Sequence, residues 1–280
     1  MIRLHSDTDI QKHCQPTPAP LVLVPTMGAL HEGHSALIAK AKELAGEHGH
    51  VVVSIFVNPI QFDRVQDLES YPQPIEKDLK HCEALGVDFV YTPKNDDFYF
   101  PNRSIEVSEN ALSSLLCGAT RPGHFDGVCT VITKLFNILN PTAAVFGQKD
   151  YQQLAIIKRL VRDLSYRTEI IAHPTVRELS GLAISSRNVG LTDAQLTQAS
   201  AIREGLQKTR ELYVSGVTSA DRILSKFRLH LDKCAPLSKI DYLECVCADS
   251  LQALSEVDKP AVIATAVFFG QVRLIDNIML

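Results

Sequence analysis

The sequence predicts an α/β protein in which a doubly wound parallel sheet is followed by a smaller α+β domain. Three observations carry that expectation. Short apolar runs alternate with helical periodicity from Leu21 as far as Ala172. The spacing of those runs fits βαβ units, whose crossovers are right-handed. From Thr192 onward the alternation stops, and helical stretches come together before strand-like ones.

The elements follow in order. Leu21–Val24 is a short β-run ended by Pro25, and after a Gly-containing turn Leu37, Ile38, Ala41, Leu44 and Ala45 recur at helical spacing. His50–Val57 is a second buried-strand run, ended by Asn58-Pro59. A helix is expected over Ile75–Leu85 and a strand over Val87–Tyr91. Gly127–Leu139 reads as a helix with Val128, Val131, Ile132, Leu135, Phe136 and Leu139 on one side. Ala143–Phe146 is the next strand, Asp150 caps a helix carrying Leu154, Ile157, Val161 and Leu164, and Thr168–Ala172 is the last strand of this half. Helices over Thr192–Val214 and Ser219–Asp232 then precede strands at Ile240–Val246, Ala261–Phe269 and Val272–Ile275. The boundary falls within residues 174–190, giving domains 1–176 and 177–280.

Composition narrows the function classes. A chain of 280 residues is long enough for about two domains and for a core that needs neither disulfides nor structural metal. Lys+Arg 28 against Asp+Glu 32 gives a net charge of −4, which argues against a sequence-independent grip on nucleic acid. Hydrophobic residues at 45% and charged residues at 21% exclude a disordered chain. The charge-free stretch Pro260–Gly270 is far below the ~18–20 residues that cross a bilayer, so no membrane association is expected. The N-terminus has no apolar run of signal-peptide type. Seven scattered cysteines read as reduced thiols of a cytoplasmic protein, and Cys245 and Cys247, two apart in a strand, should point to opposite faces.

The chemistry concentrates in Pro25-Thr-Met-Gly-Ala-Leu-His-Glu-Gly-His34. This segment sits at the carboxyl end of the first strand of the alternating region and leads into a helix, where a doubly wound sheet places its ligand. Gly28 and Gly33 permit close approach, and a helix N-terminus offers N–H groups to an anion. His31 and His34, three apart, project the same way and suit phosphate oxygens. A metal site is the competing reading, but His-Glu-Gly-His lacks the i, i+4 spacing of a zinc-protease helix. There is no Walker-type phosphate loop, no Gly-x-Ser-x-Gly elbow and no Cys–His arrangement that asks for covalent catalysis.

His31-Glu-Gly-His34 resembles the His-x-Gly-His signature of the nucleotidylyltransferase superfamily. Four further blocks narrow the likeness: Val53-Ser-Ile-Phe-Val-Asn-Pro-Ile-Gln-Phe62, Arg121-Pro-Gly-His-Phe125, Phe146-Gly-Gln-Lys-Asp-Tyr-Gln-Gln153 and Ile184-Ser-Ser-Arg-Asn188. Together with the first, and in this order, they resemble the pantothenate synthetase family over nearly the whole chain. The resemblance implies a Rossmann-like first domain and an ATP-dependent ligase. Pantoate and ATP would give pantoyl adenylate and pyrophosphate, and β-alanine would then displace AMP to give pantothenate.

The same resemblance assigns residues. His31, His34, Lys149, Ser185 and Arg187 match phosphate-side positions, with His34 at the proton donor's place. Met27, Gly28, Ala29, Leu30, Glu32, Gly33, Gly147, Gln148, Ile184 and Ser186 complete the ATP-binding segments, with Val176 at an adenine contact and Asp150 at a ribose contact. Gln61 and Gln153 match pantoate contacts and Gln61 also a β-alanine contact, with Asn58 and Tyr71 as lesser candidates nearby. Magnesium is expected to arrive with ATP, and Asp78 is the position considered for it. A homodimer is implied. Three positions depart from the family pattern: Gln148 where Glu is common, Gln73 where Arg is common, and Ser180 where Asp is common. The alternatives are a nucleotidylyltransferase of the same superfamily acting on another acid or phosphate, and a nucleotide-binding regulatory protein that has lost turnover. Intact His31, His34, Lys149 and Arg187 speak against the second.

Overall fold

The structure, a computed structural model, describes residues 1–14, 19–63 and 65–280. In chain order the elements are β1 (Ile2–Leu4), α1 (Asp7–His13), β2 (Leu21–Thr26), α2 (Glu32–Ala45), β3 (His50–Ile55), α3 (Val65–Glu69), α4 (Ile75–Ala84), β4 (Phe89–Tyr91), α5 (Asn95–Phe98), α6 (His124–Leu139), β5 (Ala143–Gly147), α7 (Tyr151–Asp163) and β6 (Glu169–His173). After these come α8 (Asp193–Ala199), α9 (Ala201–Val214), α10 (Ala220–Cys234), β7 (Ser238–Cys247), β8 (Ala261–Phe269) and β9 (Val272–Met279). The chain divides into two compact units. The first comprises 1–113, 121–148 and 153–174; the second comprises 114–120, 149–152 and 175–280.

The first unit is built on six strands in the order β1-β4-β3-β2-β5-β6, every pairing parallel. Parallel strands covered on both faces must be apolar throughout, and Val22, Val24, Val51, Val53, Val90 and Val145 are all buried. Helix α2 lays Ile38, Ala41 and Ala45 on this layer. Sheet growth runs from β2 through β3 to β4 on one side and through β5 to β6 on the other. The order therefore reverses between β2 and β5, and ligands of such sheets lie outside the strand ends at that reversal.

The second unit packs α9 and α10 on an antiparallel sheet of order β7-β8-β9. Its core includes Leu206, Phe227, Val267 and Phe269. Gly205 brings the two helices together, since a Cβ there would stand 2.8 Å from the Phe227 ring. In β7, Cys245 is buried and Cys247 is partly exposed, as alternation in a strand requires.

The expected α/β class and the smaller α+β portion are both present. Three local differences have physical causes. The strand β1 escapes the sequence pattern because three residues show no period; it pairs at the sheet edge with β4. The helical stretch after Thr192 breaks at Ser200 into α8 and α9. Strand β9 continues past Ile275 because Asp276 and Asn277, though polar, are buried and paired.

Candidate active site

The first unit carries a tightly determined turn where β2 ends. Thr26 Oγ1 donates to the Ser54 carbonyl of β3 at 2.8 Å and accepts the Gly28 N–H at 3.1 Å. Gly28 has φ +83°, and a Cβ on it would lie 3.0 Å from Asp78 Oδ2 and 3.1 Å from Ile55 Cγ2. Ala29 follows at φ +52°, a left-handed conformation that costs a non-glycine residue about 1 kcal/mol. The carboxylate of Asp78 holds it there: Ala29 N–H donates to Oδ2 and Leu30 N–H to Oδ1, each at 2.8 Å.

Helix α2 then begins with a cap made from two histidines. His31 is the N-cap; its Nδ1 accepts the Gly33 N–H at 3.1 Å, while His34 Nδ1 accepts the His31 N–H at 3.2 Å. A ring nitrogen that accepts carries no proton, so each neutral imidazole bears its proton on Nε2. The backbone thereby sets the tautomer of both rings, whose centroids are 4.1 Å apart. Gly33 is required by the same arrangement: a Cβ would come within 2.8 Å of the His31 ring. Two Nε2–H donors beside a helix N-terminus make a surface suited to phosphate oxygens.

Gln61 is buried in the same unit, in a short 3₁₀ turn after β3. Its Oε1 accepts from Asn58 Nδ2 at 2.8 Å, and its Nε2 stands 3.1 Å from Met27 Sδ, which it faces as donor. Asn58 Nδ2 also donates to the Gly127 carbonyl at 3.0 Å, while Tyr99 Oη donates to Asn58 Oδ1 at 3.0 Å. Burial pushes the Tyr99 hydroxyl above the ordinary tyrosine range and keeps it a donor. His124 Nδ1 donates to the Gln61 carbonyl at 2.8 Å, and Arg121 lies 3.1 Å from His124 Nε2. A Cβ on Gly127 would fall 2.7 Å from the Gln61 backbone, so the start of α6 seats directly on the Gln61 turn.

The second unit gathers cations and hydroxyls. Residues 176–184 form a hairpin closed by Ile184 N–H to the Val176 carbonyl at 3.0 Å, with Gly181 at its tip. Lys149 Nζ donates to the Ile184 carbonyl at 3.2 Å. Burial lowers the Lys149 pKa below the usual lysine range; Asp150 opposes this, and the Arg187 and Arg177 charges reinforce it. Beneath the hairpin, Arg177 and the buried Asp276 form a two-pronged pair at 2.7 and 2.9 Å, while Asn277 Nδ2 donates to the Lys149 carbonyl at 3.0 Å. Ser185 Oγ accepts the Arg187 N–H at 3.2 Å, and the exposed Arg187 reaches the Arg273 carbonyl at 3.3 Å. Ser186 opens the 3₁₀ turn Ser186–Gly190.

The predicted residues thus fall into two groups. Met27–His34, Gln61, Asp78, Gly147, Gln148 and Gln153 belong to the first unit, and Lys149, Asp150, Val176 and Ile184–Arg187 to the second. Of the three departures, Gln73 is exposed just ahead of α4, Gln148 donates its N–H to the His173 carbonyl at 2.8 Å, and Ser180 Oγ accepts from Leu182 N–H at 3.3 Å. Sequence reasoning missed Tyr99, Arg177, Asp276 and Asn277. The available signal for the last two was a polar pair inside an otherwise apolar strand. Asp78, considered for magnesium, has both oxygens on backbone donors, and among the described residues no three His, Cys, Asp or Glu side chains cluster as a metal site.

The family model for pantoate-beta-alanine ligase matches residues 4–279. The pantothenate synthetase of Akkermansia muciniphila is 53% identical over 263 residues, covering 93% of this chain and 92% of its own. That of Ruminiclostridium cellulolyticum is 44% identical over 274 residues, covering 98% and 96%. The crystal structure of pantothenate synthetase from Thermus thermophilus matches with a TM-score of 0.92 at 36% identity and 99% coverage of both chains. The pantoate-beta-alanine ligase of Francisella tularensis, complexed with beta-gamma ATP and β-alanine, matches with a TM-score of 0.80 at 34% identity, covering 100% of this chain and 97% of that one. The chain belongs to the pantoate–β-alanine ligase family.

Proposed function

We propose that the chain joins pantoate to β-alanine at the expense of ATP through a pantoyl adenylate, dividing the work between a set of neutral donors and a set of cations. The ligase activity is that of the family, which spans nearly the whole chain. In the first step a pantoate carboxylate oxygen attacks the α-phosphorus and pyrophosphate leaves. Two anions must meet, and charge grows on the departing phosphates, so aimed donors and positive charge are both needed. His31 and His34 donate from Nε2 to phosphate oxygens, with His34 supplying a proton as pyrophosphate departs. Lys149 and Arg187 carry the positive charge, and Ser185 and Ser186 add hydroxyl donors. Gly147 and Gln148 lead into Lys149, while Val176 and Asp150 take the adenine and ribose contacts that the family likeness implies.

Gln61 and Gln153 bind pantoate, which needs neutral hydrogen-bonding groups rather than further acid. Asn58 holds the Gln61 amide so that Nε2 is its donor end. In the second step the β-alanine amine, also placed by Gln61, attacks the acyl carbon; the C–N bond forms, the C–O bond to AMP breaks, and AMP leaves. No enzyme nucleophile is required, because adenylation has already activated the acyl group. Magnesium enters as part of the nucleotide substrate. The donor set around Asp78 suits a backbone anchor and not a metal ligand. The reading includes a cytoplasmic location, in keeping with seven free thiols, and a homodimer as the family likeness implies.

The observation that carries this reading is the double histidine cap with its two backbone-set Nε2–H donors. It is tested with pantoate labelled with ¹⁸O in its carboxylate. One labelled oxygen must appear in AMP when β-alanine is consumed; label confined to pantothenate would overturn the adenylate route.

A further inference from the structure

Asp78 and His81 stand one turn apart on α4, and both face the histidine motif. Asp78 is almost completely buried, at 1% exposure, yet among the described residues its two oxygens accept hydrogen bonds only from backbone groups of the motif turn. His81 Nε2 shares a 2.8 Å hydrogen bond with the hydroxyl of Ser35, in the first turn of α2, one residue beyond His34. The adjoining residues Leu79 and Cys82 fasten α4 to the core. One rigid helix therefore grips the motif on both flanks, ahead of His31 and after His34.

We infer that α4 is the positioning element of the phosphate site: Asp78 locks the left-handed turn at Ala29 and His81 locks the first turn of α2, so that the two imidazoles are aimed before nucleotide arrives. Asp78 is a positioning residue and not a magnesium ligand. The chemistry follows from the donors. A carboxylate can accept two adjacent N–H groups, one on each oxygen; an amide of the same shape must turn its NH₂ toward one of them. Ala29 then has reason to leave φ +52°, and the cap built on the next residues loses its fixed start. This inference rests on the ligase reading, because it assigns the aimed groups to ATP phosphates.

The test uses Asp78→Asn and His81→Ala in the full chain, with three readouts: ATP binding in EDTA, the magnesium concentration for half-maximal activity, and thermal melting. Misaiming donors by about an ångström costs on the order of 10²-fold in turnover. We expect that loss for Asp78→Asn with ATP binding in EDTA weakened about tenfold, and the magnesium requirement unchanged. His81→Ala, removing one hydrogen bond, should cost about fivefold. Introducing Ala29→Gly, which adopts positive φ readily, should shrink the Asp78→Asn loss by about fivefold, a coupling that a general loss of stability would not produce. Unchanged binding in EDTA together with a raised magnesium requirement would make Asp78 a metal ligand and overturn the proposal. So would an Asp78→Asn protein that fails to fold beside a His81→Ala protein that binds ATP normally. A wild-type chain that binds ATP in EDTA but forms no adenylate once magnesium and pantoate are supplied would refute the ligase reading instead, while the binding arm still judges the positioning role.

Discussion

The two units hold their candidate groups by opposite means. In the first, the candidate groups are short side chains whose orientation local hydrogen bonds dictate: His31 and His34 accept main-chain N–H groups, and Gln61 accepts from the Asn58 amide. In the second, they are long cationic side chains tethered to carbonyl oxygens, Lys149 to Ile184 and Arg187 to Arg273, beside the pair of Arg177 with the buried Asp276. The first arrangement gives direction and little charge; the second gives charge with looser direction. A reaction that must orient one anion against another while absorbing growing negative charge needs both. The difference also says where the folding costs fall. Around these groups the cost falls on the left-handed backbone of Ala29 in the first unit and on desolvated charge at Lys149 and Asp276 in the second.

The largest expected effect breaks the second arrangement at its base. Asp276→Ala leaves Arg177 as an uncompensated, largely buried charge and should cost about 3–5 kcal/mol in urea unfolding. Replacing both partners with Leu and Met should cost clearly less. Next, His34→Ala should lower kcat by about 10²–10³ as one aimed donor is lost, with a fall in stability of only about 1 kcal/mol from the missing cap bond. An unchanged kcat would remove His34 from the chemistry.

Lys149→Ala sharpens the contrast between charge and direction. Adenylate formation in single turnover should slow by about 10²-fold while ATP affinity changes far less; a pure KM effect would contradict the assignment. Its pH profile carries the same information. The ammonium is the working form, and burial lowers its pKa, so kcat should fall on the alkaline side earlier than an ordinary lysine would allow. Arg187→Ala removes a charge that pushes that pKa down, and the alkaline limb should move to higher pH. The smallest effect belongs to Gln61→Ala, which should raise the pantoate KM about tenfold and leave the ATP KM nearly alone. Equal changes in both would place Gln61 elsewhere.

Much of this was legible in the residues. The βα alternation produced the parallel sheet, and the Gly and His spacing in Met27–His34 picked out the end of β2, beside the point where the strand order reverses. Such features are local, and period or spacing reveals them. What stayed hidden was long-range pairing. Asp78 binds a turn 49 residues before it, and Arg177 finds Asp276 across 99 residues. No local pattern announces either contact. The end of β9 lies beyond the apolar run for the same reason: Asp276 and Asn277 interrupt the pattern, and the partners that allow their burial lie far away in sequence. Segments 114–120 and 149–152, which cluster with the second unit, likewise follow from tertiary packing that a linear reading does not contain.

The most direct test of the account is exchange of labelled pyrophosphate into ATP, measured with magnesium and without β-alanine. Exchange should require pantoate, because the acyl adenylate forms reversibly before the amine enters. Exchange absent with pantoate present, in a chain that still binds ATP, would contradict it.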